Sequence, residues 1–199
     1  MGRFQTPGLV LALSFPLGLF LFLPFPGWQD LVAFLTSVVV IAYAMGPLCL
    51  LALRKQLPEH KRPFILPMAE LICPIAFMIC GLLVYWAGWA IVWKLGLTFG
   101  GCASIFILTK VPRGRDIDFK GSLWIWPFLG GLVALTWLGG HGGIEAIPFG
   151  WDIVAVAGWS LLCYLLGLNL RLSPQKTDAY LRAIHEAHEE DLEIADFGG

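Results

Sequence analysis

The sequence predicts an all-α membrane protein of six transmembrane helices, and three features of its residues carry that prediction. Of 199 residues, 58% are hydrophobic and only 14% are charged, where a soluble domain carries roughly 25% charge. The apolar residues gather into six runs, approximately 8–23, 31–53, 68–87, 90–110, 122–138 and 153–170. Each is near the roughly 20 residues that a helix needs to cross a bilayer core. Twelve of the thirteen Lys and Arg residues then fall on one side of the membrane, with Lys94 alone on the other.

Taken in order, the first run contains Pro16 and the fifth Pro127, and both are short. It lacks a convincing small-residue cleavage site, and five more apolar runs follow it, so it reads as a span rather than a leader. The second run ends at Arg54 and Lys55, which are expected to stop it at a membrane face that favours cations. Pro58, Pro63 and Pro67 then keep the connecting loop from continuing as helix, since each lacks an amide proton and restricts the residue before it. In the third run Pro74 is expected to bend the helix, as are Pro16 and Pro127 in theirs. Gly100, Gly130-Gly131 and the Gly139–Gly143 cluster offer small surfaces on which spans can approach closely.

The positive-inside rule orients these spans with both termini in the cytoplasm, in the cell (inner) membrane. Trp28, Trp86, Trp89, Trp93, Trp137 and Trp151 mark the outer interface, and Trp124 and Trp126 the inner one. Residues 171–199 form a polar cytoplasmic tail. Ser173-Pro174 opens a short helix to about Glu190, followed by a disordered acidic end. A net charge of −1 gives no case for nucleic acid, and the lipid bilayer is the partner that composition implies. The five cysteines lie in apolar runs without CxxC spacing and read as small buried hydrophobes.

Charged residues in the spans sit near their ends. Asp30 and Asp152 open the second and sixth spans at the outer face, where a carboxylate complements a helix N-terminus, and Lys94 can reach outward from the fourth. Glu70, in the first turn of the third span and close in sequence to Lys61 and Arg62, is the candidate for a proton or ion relay, with interfacial anchoring as its plainer role. His185 and His188 in "HEAHEE" are three apart, whereas a zinc-protease helix needs HExxH. His60 reads as solvated, and His141 lies in a flexible glycine-rich outer loop near Glu145 with no serine or cysteine to activate. The sequence therefore predicts no catalytic residue, no metal site and no cofactor, and the chain reads as a non-enzyme.

The stretch "AYAMGPLCLLALRKQLPEHKRPFILP" resembles a segment of amino acid permeases of the amino acid–polyamine–organocation superfamily. Tyr43, Gly46, Pro47, Leu53, Arg54, Pro58, Arg62, Pro63, Phe64 and Pro67 match that segment's pattern. The family-motif loop comprises Arg54, Arg62, Pro63 and Phe64. Flanking "FLPFPGWQDLVAFLTS" and "RGRDIDFKGSLWIWPFLGG" look like the permease group with two helices beyond the usual twelve, which includes proton-coupled aspartate symporters. The resemblance implies that the six spans are the ninth to fourteenth, the C-terminal scaffold helices of a LeuT-like transporter fold. It implies a proton-coupled amino acid permease whose substrate site lies elsewhere, on broken helices absent from this sequence. Missing N-terminal permease helices would then be the partner, and an amino acid would be substrate only in the complete transporter. An independent six-span scaffold or partner subunit without transport activity is the alternative.

Overall fold

A computed structural model of the chain describes residues 12–16, 18–19, 27–58, 64–110, 121, 123–148, 150–175 and 177. Among these there are five long helices: α1 (Trp28–Gln56), α2 (Ala69–Trp86), α3 (Trp89–Lys110), α4 (Ile125–Leu138) and α5 (Trp151–Asn169). Helical backbone at 12–16 and 18–19 falls within the first expected span. The rest of that span, Arg62 and Pro63 of the motif loop, and the tail beyond 177 lie outside the described residues, as do His60, Lys61, His185 and His188.

Four of the helices, α1, α2, α3 and α5, are long and apolar enough to cross a membrane. With 14 residues, α4 rises only about 21 Å at 1.5 Å per residue, less than the roughly 30 Å hydrocarbon core. Pro127 is the reason it begins late. It occupies the first turn of α4, not an interior position, where its missing amide is one the helix leaves unbonded anyway. The expected kink at Pro127 is therefore replaced by a helix start, and its carbonyl accepts a 3.0 Å hydrogen bond from Trp159 Nε1 on α5.

At the other end of the second expected span, Arg54 and Lys55 lie just before the helix end at Gln56. They form the last turn of α1, where cations complement the negative end of the helix dipole. Helix and loop are then tied together. Arg54 donates to the carbonyl of Leu66 at 3.0 Å, and Gln56 donates to that of Leu172 at 2.6 Å.

α2 is the centre of the bundle, packing on α1, α5, α4 and α3. Phe77, fully buried, is ringed by Trp124, Phe128 and Tyr164 at centroid distances of 5.8, 4.9 and 5.4 Å. Only Ala87 and Gly88 join α2 to α3, and Gly88 takes a left-handed φ of 81° that a side chain would strain. Large aliphatics such as Ile75, Ile79, Leu162 and Leu165 point outward, as they do where the solvent is lipid. Cys73 and Cys163 are buried as expected, but Cys49 and Cys102 are exposed; both sit on outward helix faces.

Candidate functional site

The polar centre of the described residues lies at the end of the bundle where α2 finishes and α5 begins. Asp152, one residue into α5, is 1% exposed. One carboxylate oxygen accepts the backbone amides of Gly150 at 2.9 Å and Ile153 at 2.8 Å. The other accepts the hydroxyl of Tyr85, the penultimate residue of α2, at 2.5 Å. Tyr85 is itself fully buried, so each group satisfies the other where water does not reach.

A third titratable group joins them. The imidazole of His141 meets the Tyr85 ring edge-on with centroids 4.9 Å apart. Its Nδ1 stands 3.9 Å from Asp152 and is buried without a hydrogen-bond partner. That gap is too long for a hydrogen bond, but a protonated imidazole there would be a cation beside a carboxylate. Tyr85, His141 and Asp152 thus form a compact cluster in which each stands beside the other two, and His141 is its half-buried member.

The loop that brings His141 in is pinned, contrary to the flexible segment expected from its glycines. The amides of Ile144 and Ile147 bond back to the carbonyls of Trp137 and Leu138 at the end of α4, at 2.8 and 3.1 Å. The carbonyl of His141 accepts the amide of Trp89, the first residue of α3, at 2.9 Å. Gly139 lets this happen, since a Cβ there would overlap the Tyr85 hydroxyl and the carbonyl of Leu135. Glu145, near His141 in the sequence, is exposed at a φ of 54°.

The other residues singled out in the sequence stay apart from this centre. Glu70 is exposed in the first turn of α2. Arg54 holds the Leu66 carbonyl, and Phe64 is 71% exposed. Asp30 is half-buried in the first turn of α1. Lys94 Nζ lies 5.9 Å over the Trp93 ring, a cation–π distance. Among the described residues no three His, Cys, Asp or Glu converge as metal ligands. For Glu70→Gln the exposed position predicts a small effect. The lost helix-end charge is worth about 0.3–1 kcal/mol, so the melting temperature of the purified chain should fall by only a few degrees. A collapse of expression or folding would show a buried partner for this carboxylate.

Sequence reasoning placed Asp152 and His141 on the outer face but left them unconnected. A signal for the pairing was present in Tyr85, a hydroxyl at the expected outer end of its span, as Asp152 is of its own.

The chain is 33% identical over 167 residues to the aspartate-proton symporter of Bacillus subtilis (strain 168), covering 80% of this chain and 32% of that protein. It is 29% identical over 164 residues to the glutamate/serine transporter AimA of the same organism, covering 76% of this chain and 29% of AimA. Its homologues are amino acid transporters. The chain spans about a third of the length of each. No family model matches it, and no solved structure does.

Proposed function

We propose that this chain forms the C-terminal, six-span part of a proton-coupled amino acid permease of the amino acid–polyamine–organocation superfamily, supplying scaffold helices of a LeuT-like fold. The observation that carries this reading is the match to two amino acid transporters over at least three-quarters of the chain. Apolar membrane-length helices around a tightly packed aromatic core support a scaffold role. The buried Tyr85–Asp152 pair, with His141 beside it, locks the outer ends of α2 and α5 to the loop that spans them. The substrate is an amino acid, bound in the complete transporter on helices that this chain does not supply.

Two measurements test the proposal. Purified chain in proteoliposomes, with an imposed proton gradient and labelled amino acids, should show no saturable uptake above protein-free vesicles. Gradient-dependent, saturable uptake would require a binding site within these six spans. Orientation, with both termini cytoplasmic, rests on the basic residues and on tryptophans at helix ends. In a background lacking the native cysteines, Phe64→Cys should be shielded from an impermeant thiol reagent in intact cells, while Ala146→Cys should react. Both positions are exposed, so reversed labelling would mean reversed topology.

A further inference from the structure

One helix face departs from the aliphatic pattern expected of a surface that meets lipid. On α1 the outward positions recur every three or four residues and include Thr36, Val39, Tyr43, Gly46 and Cys49. Tyr43 is 70% exposed and lies at the middle of the 29-residue helix, so its hydroxyl is presented near the bilayer midplane. Pro47, one turn further on, is inside the helix. It has no amide proton, so the carbonyl of Tyr43 loses the hydrogen bond that residue 47 would ordinarily donate. Between them, a Cβ added to Gly46 would meet nothing within 4 Å.

A hydroxyl and a freed carbonyl at mid-depth cannot be satisfied by hydrocarbon. At mid-depth the outward faces of α2 and α5 present residues such as Ile75, Ile79, Leu162 and Leu165, and Pro74 of α2 frees only the carbonyl of Glu70, in the first turn of that helix. On α3 the exposed Ser104 hydroxyl is bonded within its own helix, to Gly100 at 2.8 Å. Small residues beside polar groups are what a second transmembrane helix packs against. The homologous transporters are about three times the length of the matched region, so about two-thirds of each lies outside it.

We infer that the Tyr43–Gly46–Pro47 face of α1 seats a transmembrane helix from the remaining two-thirds of the complete transporter, one that brings a hydrogen-bond donor to the midplane. This rests on the permease reading above and adds the surface and its chemistry. The helix crosses at Gly46, where backbones can come close, and its donor meets the Tyr43 carbonyl or hydroxyl.

The test is a fusion in which this chain replaces the matched third of the Bacillus aspartate-proton symporter, with the photo-crosslinker p-benzoylphenylalanine at position 43. After illumination in native membranes, the adduct at 43 is expected on a transmembrane peptide of the symporter-derived part, with position 165 as the lipid-facing reference. Adding Gly46→Leu should abolish that adduct, while in this chain alone the same substitution should not lower the melting temperature. Adducts confined to phospholipid, to a second copy of the fusion, or to residues 8–23 of this chain would overturn the inference. Uptake of labelled aspartate by the fusion is read separately. Cross-linking without uptake leaves the docking face standing and sinks the transport reading, whereas uptake without cross-linking does the reverse.

Discussion

Asp152→Leu should destabilise the purified chain by about 2–4 kcal/mol, because it leaves the buried Tyr85 hydroxyl without an acceptor and frees two amides at the start of α5. Asp152→Asn, which keeps one acceptor oxygen, should cost less, about 1–2 kcal/mol. Tyr85→Phe removes the other partner while preserving the ring that packs on His141. The double mutant Tyr85→Phe, Asp152→Leu should therefore be less destabilised than the sum of the singles. Thermal unfolding in one detergent, followed by intrinsic tryptophan fluorescence, supplies the comparison. Asp30→Leu is the control, because Asp30 also sits in a first turn but is only half-buried. Its loss should cost no more than about 1 kcal/mol. Equal effects at the two aspartates would show that Asp152 acts only through the helix end.

Gly131→Ala should be the second large effect, and Gly130→Ala its neutral neighbour. A Cβ on Gly131 would overlap the indole of Trp159, which is held in place by its hydrogen bond to the Pro127 carbonyl. Accommodating one methyl group means moving that ring and breaking the bond, a cost of about 1–3 kcal/mol for overpacking with about 1 kcal/mol more for the hydrogen bond. At Gly130 a Cβ meets nothing within 4 Å, so alanine there is free to stabilise the helix slightly. Melting curves of the two variants should separate clearly. If they coincide, α4 and α5 do not pack through Gly131.

The same pair shows how far the residues alone could be read. Gly130-Gly131 was legible as a place for close packing, but which glycine faces Trp159 depends on the rotation of α4 within the bundle. A one-residue step turns a side chain by about 100° on a helix of 3.6 residues per turn. Pro127 was legible as a disturbance. That it begins α4 instead of bending it depends on where the preceding turn unwinds. Arg54 and Lys55 were legible as a sign of the helix end, and α1 carries them in its last turn, where the helix dipole favours cations.

What the residues determined by themselves is the class of the protein and the placement of its apolar helices α1, α2, α3 and α5. Burial of long apolar runs is a local, additive property that survives reading one residue at a time. The similarity to amino acid transporters was also legible there, in the spacing from Tyr43 to Pro67. What only the tertiary structure decided is the polar centre. Asp30 and Asp152 occupy near-equivalent sequence positions, each in a first turn behind a tryptophan, yet only Asp152 is buried against a tyrosine 67 residues away. Helix ends distant in sequence become neighbours through packing of the whole bundle. A hydrogen bond depends on distance and direction to within a few tenths of an ångström, which no local pattern of residues can specify.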